Sequence, residues 1–336
     1  MTSMTFGDLA GSFSNRLQTA RIKADLLRLN TELSSGRPTD LVAHLGGDTA
    51  QLAQIDRETE VARARSAAAT GLGQFLATMQ TTLDGIEAVQ GRLADALASV
   101  TPTSSALELG RAGSAGAAAF RDVVGLLNAD YGAAALFAGA VTDGPALASA
   151  DAMLASLSAA AAGAVTTSDV IAAVDAWFDD PSGGFATMGY LGDSGAALTR
   201  QIDEGTSVTV AARADHPAIK DVLRNAAIVA LSADSALGLT ASTSATLLTG
   251  ALPGLMTAST SLLGLRAEVG LAEERVAAAQ ARNGAMVTAL TVMRNDLGLV
   301  DPYATAIALK EAETRLETQF VVTARLSGLS LVNYLR

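Results

Sequence analysis

The stretch that decides the fold is residues 255–297, which read LMTASTSLLGLRAEVGLAEERVAAAQARNGAMVTALTVMRNDL. Apolar side chains recur there at alternating steps of three and four residues, and Asn283 is the one polar member of the series. This spacing places the series on one stripe of a helix and predicts a long helix that packs against another helix. The series consists of Leu255, Ala258, Leu262, Leu265, Val269, Ala272, Val276, Ala279, Asn283, Met286, Leu290, Met293 and Leu297.

A second long series lies in the first third of the chain and predicts a helix from Asp48 to Ser99 that Asp48 or Thr49 caps. Pro102 ends this helix, because its ring cannot continue the hydrogen-bond ladder. A third series, from Ala106 to Leu127, is rich in small residues, so we expect its helix to lie close and antiparallel to the preceding one. The second series consists of Leu72, Leu76, Met79, Leu83, Ile86, Gln90, Leu93 and Leu97.

Gln90 and Asn283 are polar residues at positions where their series are otherwise apolar. A buried polar residue in such a seam can fix the register of two helices. The alternative is that each side chain is simply hydrated or lies near the end of a contact.

The N-terminal region predicts a helix with two apolar edges, of which Leu26, Leu29 and Leu33 form the shorter. We expect it to end at Ser34-Ser35-Gly36, since glycine suits a left-handed C-cap and Pro38 follows. The longer edge follows alternating steps of four and three residues and consists of Phe6, Ala10, Phe13, Leu17, Ala20, Ala24, Leu27 and Thr31.

The middle of the chain has a mixed character. We expect helices over about 146–162 and 168–178, and a β-hairpin formed by 198–202 and 207–211. Helix then returns over about 218–236, a Gly/Ser/Thr-rich break runs to Pro253, and Asp301-Pro302 marks a joint before a last helix over about 303–335.

These patterns predict a mainly α protein, a long antiparallel helical bundle or coiled coil built from both chain ends, with a small mixed α/β insert in the middle. Its segments are an N-terminal assembly helix (1–44), a long helical hairpin of the rod (45–130), a variable mixed insert with the β-hairpin (131–216), C-terminal rod helices (217–300) and a C-terminal assembly helix (301–336).

Composition excludes several classes of function. The chain has 336 residues and a formal net charge of -11, which argues against a nucleic-acid partner. It has no cysteine, so disulfides, thiolate zinc sites, iron–sulfur clusters and cysteine nucleophiles are excluded. His44 and His216 are far apart and are interpreted as loop residues rather than ligands. We therefore expect no enzyme activity, catalytic residue, cofactor or metal, and no membrane span or insertion.

The apolar ends of the chain are the candidate functional surface. The last helix is apolar on most sides of its final turns, and such a helix needs burial, although chain termini are usually exposed. We therefore expect both end helices to pair with each other and with other copies of the protein. The candidate interface residues are Phe6, Phe13, Leu17 and Leu27 at one end, and Leu326, Leu329, Val332 and Leu335 at the other.

Two stretches carry a family resemblance: Leu33-Ser34-Ser35-Gly36-Arg37 after the first helix, and the terminal run from Leu326 to Arg336. With the helical ends, they make the chain similar to the bacterial flagellin superfamily over roughly 1–130 and 217–336. The chain departs from the family after Gly36, where Pro38 and the residues that follow replace the usual Asn-x-x-x-Asp-Asp stretch.

Within that superfamily, the ending from Leu329 to Arg336 and the stretches 136–139, 144–147 and 190–193 are most similar to hook–filament junction proteins (hook-associated protein three). The resemblance implies a structural subunit that joins hook to filament in the extracellular flagellum, after type III export without a cleaved signal peptide. The implied partners are other copies in a helical ring, flagellin, the adjacent hook-junction protein and a cytoplasmic export chaperone. Filament flagellin itself and a cytoplasmic coiled-coil scaffold protein are the alternatives.

Overall fold

The computed structural model describes residues 6–140, 143–195 and 197–334 and, within them, every side chain except those of 6–9, 12 and 326–334. The described chain is mainly helical and carries two small antiparallel sheets of two strands each. Its helices are α1 (Phe6–Ser35), α2 (Leu41–His44), α3 (Ala50–Ala98), α4 (Ala106–Leu127), α5 (Ala150–Ala160), α6 (Thr167–Asp179), α7 (Pro217–Leu231), α8 (Ala241–Gly298) and α9 (Pro302–Tyr334). Its strands are β1 (Asp130–Tyr131), β2 (Ala134–Ala135), β3 (Leu198–Asp203) and β4 (Thr206–Val210).

Contacts divide the chain into two compact units. The terminal unit consists of 1–62 and 285–336, and the central unit consists of 63–284. The helices α3 and α8 contribute residues to both units.

The helix boundaries near prolines and glycines agree with the sequence analysis. The first helix ends at Ser35, and Gly36 takes the left-handed conformation with a φ of 68°. The α3 helix begins at Ala50, whose N–H donates to Asp48 Oδ1 at 2.9 Å. The α4 helix begins after Ser105, which forms a capping box with Glu108.

In the central unit, the two long apolar series lie in the buried core, as predicted. Leu76, Met79, Leu83 and Ile86 of α3 are fully buried. The members of the α8 series that lie in this unit, from Leu255 to Asn283, are all buried as well. Since such large apolar side chains each contribute roughly 1.5–3 kcal/mol on burial, these series are a main source of the stability of this unit.

Polar side chains join α3 and α8 alongside that core. Gln80 Nε2 donates to the carbonyl of Arg266 at 2.8 Å, and Gln280 Nε2 donates to the carbonyl of Ala69 at 3.1 Å. Arg266 also forms ion pairs with Asp84 and Glu87 of α3. The contact closer to the C-terminus of α3 thus lies closer to the N-terminus of α8, so the two helices run antiparallel.

The small residues of α4 pack against α7, which corrects the expectation that they would face the preceding helix. A Cβ atom on Gly116 would lie 2.5 Å from Val229 Cγ1, and one on Gly113 would lie 2.2 Å from Ala233 Cβ. The α4 helix does run antiparallel to α3, but larger groups such as Leu126 make that contact. The glycines are therefore needed where α4 meets α7.

The expected break before Pro253 is wrong, because α8 begins at Ala241 and Pro253 lies inside it. A proline within a helix loses one backbone hydrogen bond and costs about 3 kcal/mol. Burial offsets this cost, since Leu247, Leu248, Ala251 and Leu255 are all buried around the proline. The apolar series of α8 thus continues toward the N-terminus beyond the part that the sequence analysis used.

The three stretches of the middle region that carry the family resemblance are joined by backbone hydrogen bonds. The N–H of Asp193 donates to the carbonyl of Ala138, and the N–H of Leu191 donates to the carbonyl of Ala146, both at 2.9 Å. Between the predicted elements there is also the short β1–β2 pair and a π-helical turn, Phe185–Gly189, which the sequence analysis missed.

The predicted β-hairpin is present as β3 and β4, with an irregularity in register between Gln201 and Asp203. At this point Asn283 Nδ2 donates to the carbonyl of Ile202 at 3.0 Å. The polar residue in the α8 series is thus buried and bonded to the hairpin, rather than hydrated.

Gln90 is only 4% exposed, and neither its Nε2 nor its Oε1 atom has a hydrogen-bond partner in the described part of the chain. An unsatisfied buried polar group costs about 1–3 kcal/mol. We expect Gln90→Met to raise the free energy of unfolding by about 1 kcal/mol, measured by urea denaturation. Gln80→Met is the matched control and should lower it, because Gln80 Nε2 has a bond to lose. A loss of stability in Gln90→Met would contradict the expectation.

The helical stretch 241–325 contains a segment that is long and apolar enough to cross a membrane by length and composition alone. No such segment was expected from the sequence. In the structure 33% of this segment is buried within the protein, and core helices of water-soluble proteins can have the same length and composition. The segment is therefore weak evidence for a membrane span.

Candidate assembly surface

The two terminal helices pack against each other in the terminal unit. Gln319 Nε2 donates to Asn15 Oδ1 at 3.4 Å, and the N–H of Val300 donates to the carbonyl of Gly36 at 3.1 Å. These contacts show that α1 and α9 run antiparallel. The expected pairing of the end helices within one chain is therefore present.

The side chains through which α1 and α9 approach each other follow the steps of four and three residues that suit helix pairs. On α1 the buried or half-buried residues at this spacing are Asn15, Thr19, Ile22, Leu26, Leu29 and Leu33. On α9 they are Thr305, Leu309, Ala312, Leu316 and Gln319. The shorter apolar edge of α1 thus belongs to the contact within the chain.

The longer apolar edge of α1 faces solvent. Phe13 is 69% exposed, Leu17 is 44% exposed and Leu27 is 70% exposed. At 100° per residue, this edge lies about 160° around the helix from the contact with α9. We call it the outer stripe of α1; its described members are Ala10, Phe13, Leu17, Ala20, Ala24, Leu27 and Thr31, all of them exposed.

The candidate interface residues therefore divide into two groups. Phe13, Leu17 and Leu27 lie together on the outer stripe. The side chains of Phe6, Leu326, Leu329 and Val332 lie outside the described part of the chain, as does the whole of Leu335. Their predicted role stays a prediction.

The α9 helix also presents apolar side chains to solvent that the sequence analysis did not select. Ile307, Phe320, Val321 and Val322 are all exposed. The signal for them was available in the sequence, since two helices that pair through one narrow seam leave their remaining apolar residues uncovered.

Basic side chains border the outer stripe of α1 on both sides. Arg16 and Lys23 lie along one border, and Arg21 and Arg28 lie along the other, as their spacing from the stripe requires. Arg28 pairs with Glu32, with Nη1 2.9 Å from Oε2, and Lys23 Nζ lies 5.9 Å from the centre of the Phe320 ring. Within the described residues, Arg16 and Arg21 have no ion pair.

Glu32 fixes the end of α1 on the turn that follows it. Its Oε1 atom accepts a hydrogen bond from the N–H of Thr39 at 3.0 Å, and Oε2 accepts one from Arg28. Burial raises the pKa of Glu32, but the bonds from Thr39 and Arg28 outweigh this effect and leave the pKa below its ordinary value. Glu32 is a positioning residue that the sequence analysis missed.

The two histidines take structural positions. His44 ends the short α2 helix, and His216 caps α7, where its Nδ1 atom accepts a hydrogen bond from the N–H of Ala218 at 3.2 Å. No group of three His, Asp or Glu side chains in the described ranges could hold a metal ion.

The cap formed by His216 predicts a dependence of stability on pH. Burial lowers the pKa of His216 below its ordinary value, so the unfolded chain binds a proton more readily than the folded chain does. The free energy of unfolding should therefore fall as the pH drops below about 6.5, the ordinary histidine value. His216→Asn keeps a capping acceptor without titrating in this range.

Urea denaturation at pH 5 and pH 7 measures this effect. We expect the wild-type protein to lose more stability between the two pH values than the His216→Asn variant, because other groups contribute equally to both proteins. Equal losses in the two proteins would contradict the assignment to His216.

Neither a scan against models of protein families nor a search of curated proteins gives a match to this chain.

Proposed function

We propose that this chain is a structural subunit of the bacterial flagellum that joins hook to filament. In this proposal the chain is exported by the type III route without a cleaved signal peptide, and its terminal helices then pack on those of other copies. The observation that carries the proposal is the outer stripe of α1. Its apolar side chains face solvent, while the contact with α9 uses the opposite side of the helix.

An uncovered apolar stripe of this length favours an interaction role, because monomeric proteins rarely leave large contiguous apolar patches exposed. Phe13 and Leu27 lie 14 positions apart, which corresponds to about 21 Å along a helix at 1.5 Å per residue. Such a stripe matches the side of another helix better than it matches a small molecule.

The proposal includes a coiled-coil arrangement of the terminal helices and an antiparallel bundle of the long helices. The steps of four and three residues on the facing sides of α1 and α9 support it. So do the side-chain contacts that join α3 to α8.

The resemblance to hook–filament junction proteins supports the location. The stretch Leu33–Arg37 contains the glycine with positive φ that ends α1, so its resemblance to the family coincides with a defined turn. The proposed partners are other copies in a helical ring, flagellin, the adjacent hook-junction protein and an export chaperone. The proposed role requires no enzyme activity.

Gold-labelled antibodies on isolated flagella test the proposal. We expect label confined to one band near the cell-proximal end, with no label on flagella from a strain that lacks the gene. Label along the whole filament would indicate a filament flagellin instead. Flagella without any label, with the protein retained in the cytoplasm, would overturn the proposal and favour a scaffold protein.

A further inference from the structure

We infer that the outer stripe of α1 docks on the pair of helices α3 and α8 in the terminal unit of a second copy of this chain. This inference rests on the proposed function, because it specifies which surfaces meet when copies assemble. It follows from an exposed apolar face of α8, from the acidic side chains that border this face, and from the basic side chains that border the outer stripe.

The apolar series of α8 loses its cover in the terminal unit. Its members in the central unit are all buried, whereas Met286 is 55% exposed and Met293 is 50% exposed. Ala289, which lies between them on the same side of the helix, is exposed as well. We call these three residues the methionine face of α8.

The methionine face lies beside the contact between α3 and α8. Leu290 is still buried, because it packs with Ile55 and Ala62 of α3. Two helices that meet through one such seam leave a groove along it, into which the side of a further helix fits. Methionine side chains suit a contact of this kind, since they adapt their shape to a partner.

Acidic side chains border this groove on both helices. Asp296 lies about 50° around α8 from the methionine face at 100° per residue. Glu58 borders the groove on α3, because it lies about 160° around that helix from Asp56, which faces the other side of the pair. Both Asp296 and Glu58 are exposed, and neither has an ion pair within the described residues.

The basic side chains of this part of the chain lie elsewhere. Arg294 pairs with Asp56, with Nε 2.7 Å from Oδ1, and lies about 110° around α8 from the methionine face. Arg37 lines a small cavity with Arg294 on that other side. Arg57 lies about 160° around α3 from Ile55, so it points away from the seam.

Two further arginines occupy the helical positions that continue the borders of the groove into the central unit. Arg65 pairs with Glu204, and Arg282 pairs with Asp203, so carboxylates of the β3–β4 hairpin already neutralise both. The charges left at the borders of the groove in the terminal unit are therefore negative.

The outer stripe of α1 carries the complementary charges. Arg28 is neutralised by Asp25 and Glu32, but Arg16 and Arg21 lie on opposite borders of the stripe and have no ion pair within the described residues. In paired helices, residues beside the apolar seam meet their counterparts on the partner, and like charges there are unfavourable. A contact between two α1 stripes would bring basic groups together, and one between two grooves would bring carboxylates together.

The shapes of the two surfaces also agree. Ala20 and Ala24 lie at the centre of the outer stripe, where small residues let another helix approach closely. The stretch from Met286 to Asp296 is about 15 Å long at 1.5 Å per residue, so the stripe from Phe13 to Leu27 is long enough to cover it.

A contact between α1 of one copy and the α3–α8 pair of the next joins two different surfaces. Each assembled chain of copies then still offers one free stripe and one free groove, so the contact continues from copy to copy. The charges thus select an assembly in one direction over a closed pair of copies.

A charge-exchange experiment with the full chain tests the inference. The first variant carries Arg16→Glu and Arg21→Glu, and the second carries Glu58→Lys and Asp296→Lys. Each should assemble at a critical concentration at least about tenfold above that of the wild-type chain at low salt, since attraction becomes repulsion. A third variant that carries all four changes should recover most of this loss, because every contact again joins opposite charges.

The matched control carries Asp95→Lys and Glu274→Lys, which make the same change of charge at exposed positions of the central unit. We expect it to assemble as the wild-type chain does. Light scattering measures the critical concentration, and circular dichroism verifies that each variant keeps its helices. A rise in the control equal to that in the second variant would overturn the inference.

Introduced cysteines locate the contact directly, because the chain has none of its own. Copies with Ala20→Cys are mixed with copies with Ala289→Cys, assembled and oxidised. We expect disulfide-linked pairs that contain one copy of each, identified by mass spectrometry of the linked peptides. Ala118→Cys, at an exposed alanine of α4 in the central unit, replaces Ala289→Cys as the matched control and should give no such pairs.

The outcomes separate this inference from the proposed function. If the wild-type chain assembles but the third variant recovers nothing and no link between positions 20 and 289 forms, this contact is wrong while self-assembly stands. Links mainly between two Ala20→Cys copies would instead favour a contact between α1 helices. A wild-type chain that never self-associates, at any salt concentration, would overturn both.

Discussion

Replacing both Phe13 and Leu27 with aspartate is expected to abolish incorporation of the protein into flagella while leaving the folded monomer intact. Both side chains are exposed in the single chain, and substitutions at such positions usually change stability by no more than about 0.5 kcal/mol. In an assembly that covers the outer stripe, each new carboxylate would be buried without a partner, which costs several kcal/mol. Burying two unpaired carboxylates would therefore cost more free energy than this one contact contributes to assembly.

The measurement is the amount of the variant in purified flagella of cells that lack the wild-type gene, together with urea denaturation of the monomer. Met256→Asp with Leu271→Asp is the matched control, since these two side chains are also apolar and exposed but lie on α8 in the central unit. The control should incorporate normally. Normal incorporation of the Phe13 and Leu27 variant would remove the outer stripe from the assembly surface.

A second control separates the two sides of α1. Leu26→Asp with Leu29→Asp changes the side that faces α9, where Leu29 is buried. We expect this variant to lose incorporation and also the packing of α1 on α9. Hydrogen exchange of the α1 amides in the monomer would detect the loss of packing. The outer-stripe variant should keep the protection of α1 in the monomer.

Gly116→Ala is expected to lower the free energy of unfolding by about 2–3 kcal/mol, because overpacking of a tight contact costs about 1–3 kcal/mol. The added Cβ would lie 2.5 Å from Val229 Cγ1 and 2.7 Å from the backbone nitrogen of Ala230. Part of this obstacle is backbone, so no change of rotamer relieves it. The α4 and α7 helices would have to move apart and give up buried contacts.

Gly110→Ala in the same helix is the matched control. No atom lies within 4 Å of a Cβ at this position, and alanine is favoured over glycine inside a helix by about 1 kcal/mol. Urea denaturation should therefore show a small gain for Gly110→Ala and a clear loss for Gly116→Ala. Similar values for the two variants would mean that α4 and α7 are not held in close contact.

The sequence alone predicted the parts of the fold that depend on local chemistry. Gly36 and Pro302 mark the end of α1 and the start of α9 because one adopts a positive φ and the other cannot continue a helix. The β3–β4 hairpin was predicted as the two stretches 198–202 and 207–211, and both form strands. The predicted break before Pro253 was wrong, because burial of the neighbouring side chains outweighs the free energy that a proline costs inside a helix.

The candidate assembly surface was predicted only in part. Both edges of α1 are apolar, so the helical spacing alone could not tell which edge meets α9 and which stays exposed. The partner helix decides this, and its own seam from Thr305 to Gln319 contains polar and small residues that a search for apolar spacing passes over. Glu32 was missed for a similar reason, because its partner Thr39 is a backbone group of the following turn.

The bond from Asn283 attaches the hairpin through the main-chain carbonyl of Ile202, in addition to the buried side chains of Val208 and Val210 and the ion pair of Asp203 with Arg282. Substitutions at the exposed hairpin positions Thr199, Gln201 and Thr209 would therefore leave that attachment in place. Over evolutionary time these exposed positions can therefore change without loss of this attachment. The hairpin is accordingly a natural place to graft a foreign epitope.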